Sequence, residues 1–483
     1  MKTLDLYDYE KTVSEEKRTS LGIVYTPEEI VSFINAETLR LWVKPYPPKF
    51  LDPCCGTGVF IADMAKKVSK RYAMPLEEVY RRCAFGEDID ADAIKVANRL
   101  VPLANFKTSD SLRSDWSDYD IVVTNPPYIR VQNLSEEVRS YLDLHHSFCK
   151  GDTDLYMAFL EKVLDNGAIS GIIVPNSWIK NKSADAARKG VAKSRRVSTL
   201  IDFQSKKVFE NASTYTSILV LGEEQSDTVR TGTSMDEIRD VKQEEVFLGG
   251  CVITSRADLL YYREVQKRSH SLFDICDVKT GLATLSDAVF CLEVVSPGPT
   301  VTSVKKRSSK SLEVFELESE MLKPCIRAGD ITKNIGKQYV MLYPYDSSGA
   351  SIDAQEISRK YPLSYSYLSD NMSRLKERDK GKDKGYTWTE YGRSQGLQLL
   401  HRDKLVFATM IKDRMVLKAC PPGTTFVSGY CFIKKRDDVT TSMVQSLLTS
   451  NDILKWIKIF GKNFGDDWYG ISKQTFKEYR VNL

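Results

Sequence analysis

The sequence runs to 483 residues, room for two or three ordinary domains, with 42% hydrophobic and 28% charged residues. It has no run of about 18 apolar residues, and Met1–Arg18 is polar, which reads as a cytoplasmic protein with neither a membrane span nor a secretory signal. Ten cysteines without a Cys-x-x-Cys pair and only four histidines lead us to expect no metal site. A net charge of +4 neither requires nor excludes nucleic acid.

In chain order, the first half alternates helix and strand. Pro27–Trp42 reads as a helix, capped by Thr26 and with Glu28 and Glu29 in its first turn. Lys49–Asp52 reads as a strand, Val59–Lys70 as a helix, Cys83–Glu87 as a strand and Ala91–Leu100 as a helix. Ile121–Thr124 is the next strand, followed by a helix at Tyr156–Leu164 and strands at Ile169–Val174 and Ser217–Leu221. The strands are short, β-branched and flanked by turn residues, the form of strands buried in a parallel sheet. Their alternation with helices predicts an α/β layer structure. Gly222–Glu245 is polar and charged and reads as a linker or exposed excursion. Beyond it the alternation fades, with strand-like runs at Lys404–Thr409 and Thr425–Phe432. Two domains are expected, residues 1–245 and 246–483, the second of α+β type.

Four motifs in the first half carry chemistry. In Leu51-Asp52-Pro53-Cys54-Cys55-Gly56-Thr57-Gly58 a strand enters a glycine turn and a helix leaves it, a place where a ligand meets backbone and helix N-terminus. The adjacent cysteines read as small buried thiols. About thirty residues on, Phe85-Gly86-Glu87-Asp88-Ile89-Asp90 ends a strand in carboxylates able to take ribose hydroxyls or to cap a helix. Ser109-Asp110-Ser111 offers an acceptor for an adenine amino group, or a loop acid. Asp120–Tyr128 runs a strand into Asn125-Pro126-Pro127-Tyr128, a stiff turn without two of its backbone donors and followed by an aromatic ring.

In this order the motifs resemble those of amino-methyltransferases, specifically the gamma-class DNA N6-adenine methyltransferases. Gly22–Pro27 is similar to the family's N-terminal cofactor motif, and Asp152–Tyr156 to the opening of the helix after its catalytic turn. Gly167–Trp178 is similar to the next strand and loop, and Val208–Asn211 with Thr214–Leu221 to the motif carrying a second aromatic. The Cys54–Cys55 pair departs from the usual small or acidic residues. The resemblance implies a Rossmann-like S-adenosylmethionine-dependent domain with a mixed, mostly parallel seven-stranded sheet, followed by an α+β target recognition domain. It places Tyr25, Thr26, Pro27, Asp52, Pro53, Cys54 and Gly56 around the methionine part of S-adenosyl-L-methionine. Asp88 with Ile89 would hold the ribose, Asp110 with Ser111 the adenine, and Asn125 would border the donor. Asn125, Pro126, Pro127 and Tyr128 would be catalytic, with Tyr128 and Phe209 on either side of the target base. Four C-terminal segments, Val278–Phe290, Leu322–Ile331, Tyr361–Arg378 and Trp388–Lys404, resemble those of target recognition domains.

The implied reaction follows from amide chemistry. The Asn125 side-chain oxygen and the Pro126 carbonyl would accept both N6 hydrogens and raise lone-pair density for in-line displacement at the methyl group. The base must leave the duplex to be reached, with stacking worth about 1–3 kcal/mol per base to offset its extrusion. Double-stranded DNA is the expected partner, with a separate restriction endonuclease possible and a monomer expected. Arg327, Arg393 and Lys404 are candidate DNA contacts, and the basic runs Lys305–Lys310, Arg374–Lys384 and Lys404–Lys418 either follow phosphates or form solvated faces. Other acceptors of the same chemistry are RNA adenine, a protein glutamine amide and cytosine N4. A cytosine-C5 enzyme is rejected, because Pro53-Cys54 lies in the cofactor turn and Pro324-Cys325 outside the fold. A catalytically idle DNA-binding subunit fits the full motif set poorly, and the piece before Gly22 is too short for a fused nuclease.

Overall fold

The strands of the first half are buried end to end, which is what their apolar, β-branched composition requires. In the computed structural model, β1 (Phe50–Asp52), β4 (Ile121–Thr124), β5 (Ile169–Pro175) and β7 (Thr216–Leu221) expose none of their residues. Residues 13–22, 24, 26–151, 153–209, 214–248, 251–306, 313–333, 336–381, 385–464 and 466–483 are described. They fall into two compact units, Met1–Tyr262 and Arg263–Leu483.

The first unit is built on one mixed sheet of nine strands, not the seven expected, in the order β3-β2-β1-β4-β5-β7-β6-β8-β9. The remaining strands are β2 (Ala84–Asp88), β3 (Asn105–Thr108), β6 (Val197–Asp202), β8 (Thr228–Gly232) and β9 (Arg239–Lys242). From β3 to β5 all pairings are parallel. β7 runs antiparallel to both neighbours, β6 and β8 pair in parallel, and β8–β9 is antiparallel. The two additional strands come from the stretch read as a linker. β9 is the edge strand, half solvated and polar on that face, and β8 lies between it and β6. On β8, Val229 and Thr231 point inward while Arg230 pairs with the buried carboxylate of Glu37.

Alternation along each strand separates two cores. Leu51, Val122, Ile172 and Leu219 face α7 (Tyr156–Asp165) and α8 (Asp185–Ser194). Phe50, Ile121, Val123 and Ile173 face α2 (Glu28–Leu41) and α3 (Val59–Tyr72). Also present are α1 (Glu15–Leu21), α4 (Leu76–Cys83), α5 (Ala91–Leu100) and α6 (Glu136–His145). Cys83, read as the start of a strand, is the last residue of α4. Thr26 does not cap α2: the cap position is Pro27, without a side-chain bond. Because β1 lies between β2 and β4, the chain order reverses there and opens a crevice at the carboxyl ends of those strands, where open α/β sheets bind ligands.

The second unit holds a four-stranded sheet in the order Cys276–Thr280, Gly429–Lys434, Lys404–Ala408, Lys418–Cys420. A six-stranded sheet runs Val314–Glu318, Val301–Lys306, Cys291–Ser296, Tyr339–Leu342, Leu322–Arg327, Thr425–Val427. The single strand read at Thr425–Phe432 is thus two strands in different sheets. Ser428, at φ 59°, turns the chain between them. Four aromatic residues, Phe290, Tyr343, Tyr345 and Tyr391, pack in this unit's core, where the Tyr345 hydroxyl accepts the Tyr391 amide at 2.7 Å. Among the described residues no helix is long and apolar enough to cross a membrane.

Candidate active site

The turn after β1 is wound by its own backbone and by two carboxylates. Asp52 Oδ1 accepts the Cys54 amide at 3.0 Å, and Cys55 donates to the Glu87 carbonyl at 2.9 Å. Gly56 donates to Asp88 Oδ2 at 2.8 Å. Gly58 sits at φ 90°, and a Cβ there would lie 2.9 Å from the Phe106 ring, so both conformation and space demand glycine. The second Asp88 oxygen accepts the Asp90 amide at 2.8 Å, and Asp90 caps α5 and pairs with Lys17, also at 2.8 Å. Asp88 therefore joins the β1 turn to the end of β2 while keeping lone pairs for a ligand.

Burial sets the electrostatics. Asp52 is 1% exposed, and burial pushes its carboxyl up to about 8, with the Cys54 amide opposing and the Asp88 charge adding to the rise. Burial also raises Asp88 and pushes the Cys54 and Cys55 thiols well above their ordinary range, so both cysteines stay protonated. Asp110 accepts the Leu112 amide at 3.2 Å and pairs with Arg113 at 3.1 Å.

At the end of β4, Asn125 Nδ2 donates to the Val24 carbonyl and to Thr26 Oγ1, each at 2.9 Å. A main-chain carbonyl can only accept, which fixes the orientation of the amide. Asn125 Oδ1 then faces the other way, buried and with no donor among the described residues. The Tyr128 hydroxyl donates to the Ile173 carbonyl at 3.3 Å. Its ring meets Tyr156 and Phe209 edge to face, each at 6.3 Å between centroids.

These elements enclose a cavity of about 310 Å³. Thr26, Asp52, Pro53, Cys54, Gly56, Asp88, Ile89, Asp110, Ser111, Asn125 and Pro127 all line it. Tyr25 lies outside the described residues, as do Asp152, Glu210 and Asn211. Pro27 caps α2, Pro126 is buried and Phe209 is 3% exposed; none of the three borders the cavity, nor does Tyr128. The sequence reading missed one wall, in which Leu134, Val138 and Tyr141 present the apolar side of α6 and its approach. The sequence reading named no helix here, although Ser135 as cap and Glu136 and Glu137 in the first turn are its signals, and no local signal says what its apolar face covers. Ser20, Leu21 and Gly22 close another side.

In the second unit the three candidate DNA contacts differ. Arg393 is half exposed and pairs with Asp379 at 2.7 Å. Arg327 is mostly buried, paired with Asp330 at 2.7 Å and set against the Tyr339 ring. Lys404 is 3% exposed and gives its ammonium protons to the carbonyls of Leu399 and Arg402 at 2.9 and 3.0 Å. Two of its three ammonium protons are thus held by backbone carbonyls, and the side chain is buried rather than presented at the surface. Of the basic run at Lys305–Lys310, residues 307–310 lie outside the described residues.

Residues 58–209 match the family described as Eco57I restriction-modification methylase. Over these residues the chain is similar to an Eco57I-like restriction-modification methylase domain. The Type II restriction enzyme and methyltransferase RM.Eco57I of Escherichia coli is 23% identical over 95% of the chain, which spans 56% of that protein's length. The Type II methyltransferase M.BstVI of Geobacillus stearothermophilus is 21% identical, covering 82% of the chain and 79% of that protein. Among solved structures, the Type IIL restriction-modification enzyme MmeI in complex with DNA aligns with a TM-score of 0.61 and 14% identity, over 97% of this chain and 69% of that one. This last likeness is one of fold. The methylase match spans the helix after the glycine turn, the end of β2, Asn125–Tyr128 and Phe209, most of the elements around the cavity.

Proposed function

We propose that the chain is a site-specific DNA methyltransferase that moves a methyl group from S-adenosyl-L-methionine to N6 of an adenine flipped out of duplex DNA, as the modification part of a restriction-modification system. The observation that carries this reading is the buried, donorless Asn125 Oδ1 beside the cavity. An orphaned buried acceptor is costly, and a substrate N–H would satisfy it.

The cavity suits the donor. Its volume of about 310 Å³ falls at the lower end for ligand pockets, and its acids match a ligand carrying an ammonium and a sulfonium. Asp52 and the Gly56 turn would hold the methionine end, Asp88 the ribose, and Asp110 the adenine amino group. When bound, the donor supplies an electrophilic methyl group. Thr26 and Val24 orient the Asn125 amide; its oxygen and the Pro126 carbonyl would accept the two N6 hydrogens; Tyr128 would stack on the base. Arg393 is the arginine we assign to DNA contact.

Radiolabelled methyl transfer to DNA, RNA and protein in parallel tests the reading. Label in DNA alone, mapped as N6-methyladenine by modification-sensitive long-read sequencing, is the expected result. Label in RNA or protein, or as N4-methylcytosine, overturns it.

A further inference from the structure

We infer that Lys162 is a positioning residue for the adenosine end of the donor subsite, acting through the loop at Asp110–Ser114 rather than by touching the ligand. The inference rests on the proposed function. Lys162 stands on α7, beyond the catalytic turn, and its ammonium donates to the carbonyls of Ser111 at 2.6 Å, Leu112 at 2.9 Å and Ser114 at 2.5 Å. An ammonium has three protons, and all three are spent on four consecutive residues. Asp110, Ser111 and Leu112 line the cavity, so the carbonyls that Lys162 gathers belong to the cavity wall.

Other contacts brace the same loop without replacing the cation. Ser114 Oγ donates to Glu87 Oε2 at 2.7 Å and accepts from Trp116 Nε1 at 3.1 Å, while the Trp116 ring lies 4.3 Å from the Lys162 ammonium. Residues 109–120 form no helix or strand; the Ser109 amide donates to the Asp88 carbonyl at 3.0 Å, and the Tyr141 hydroxyl on α6 donates to the Leu112 carbonyl at 3.2 Å. The path of this loop therefore depends on side chains, and Lys162 is the one that makes three bonds to its backbone.

The charged and titratable groups facing the ammonium are Glu87 on β2, Asp110 and Asp115 on the loop, and Cys54 on the β1 turn. Burial pulls Lys162 down to about 8 against the opposing pull of those acids. A neutral amine has two protons for three carbonyls, so the subsite loosens as pH rises through that value.

5′-Methylthioadenosine isolates the effect, because it keeps the adenosine and lacks the amino-acid end that meets Asp52. Its binding to the full chain is measured by calorimetry between about pH 6 and pH 10, on either side of the lysine transition. In the wild type the affinity should be flat at low pH and fall severalfold above about pH 8. Lys162→Met should weaken binding about tenfold or more at every pH, the scale expected for lost charge-assisted bonds. Lys162→Arg, which stays charged, should bind nearly as well and flatten the profile. If the methionine variant fails to fold, as read by circular dichroism, the arginine variant against the wild type still decides. A flat wild-type profile, or an arginine variant that follows it, overturns the inference. Wild-type protein that binds neither this probe nor S-adenosylmethionine brings down the proposed function as well, whereas binding indifferent to Lys162 brings down this inference alone.

Discussion

The two sides of the candidate site are in different states. On the donor side a cavity stands open, its glycine turn wound and its carboxylates held by backbone amides. On the acceptor side Tyr128 and Phe209 touch edge to face at 6.3 Å, inclined by 63°, and Asn125 Oδ1 is sealed. A base between two rings needs parallel planes about 7 Å apart, twice a carbon contact distance. The sandwich expected of Tyr128 and Phe209 is therefore absent from this structure, and Phe209 packs as a core residue beside Ile201 and Phe203. Under the proposed function, donor binding needs little rearrangement, whereas base entry would have to part a packed aromatic pair.

Removing the acceptor is the strongest way to break this comparison. Asn125→Ala should lower single-turnover methyl transfer by about 10²–10³-fold, the cost of losing one preorganised polar group at a reaction centre. Equilibrium binding of S-adenosylmethionine should change little. Undiminished transfer would assign the acceptor role elsewhere. Lost donor binding would show that the amide's grip on Val24 and Thr26 matters more to the cavity than its oxygen does to the base.

The aromatic pair offers the next largest effect. Tyr128→Ala removes the stacking face, worth about 1–3 kcal/mol, and should suppress the fluorescence rise of 2-aminopurine placed at the target. Tyr128→Phe keeps the ring but frees it from the Ile173 carbonyl, so extrusion should be at least as easy as in the wild type. A rise that survives in the alanine variant, or is lost in the phenylalanine one, would mean that the ring does not carry the base.

The same contrast separates what the sequence reveals from what it hides. The donor side was legible because each of its motifs is locally marked: Asp52 at a strand end leads into the turn wound by Gly56 and Gly58, and Asp88 ends the next strand about thirty residues on. The α6 wall and Lys162 were not legible, because their meaning comes from what they pack against far along the chain. β8 and β9 were taken for a linker, because the edge strand β9 and its neighbour β8 carry the polar residues that usually mark loops. In the second unit charge alone does not tell burial: Lys404, read as a candidate phosphate contact, is buried and gives two of its three protons to carbonyls.

Asp52 gives the smallest effect and the one that best sharpens the donor side. Its native carboxyl holds a proton up to about 8, whereas the ordinary value is 3.8. Between those values the folded chain binds more proton than the unfolded one, so this group's contribution to stability is full below 3.8 and is lost as pH rises through about 8. The melting temperature of the ligand-free wild type should therefore fall more across that window than that of Asp52→Asn, which cannot titrate. A cationic amino-acid end beside Asp52 favours its charged form, so binding S-adenosylmethionine at neutral pH should release a proton, read by calorimetry as a dependence of the enthalpy on the buffer. In Asp52→Asn that proton release should vanish, and affinity should drop for S-adenosylmethionine but not for 5′-methylthioadenosine. Equal losses for both ligands would mean that Asp52 shapes the turn through its bond to Cys54 rather than meeting the charge, and the donor side would owe its readiness to backbone geometry alone.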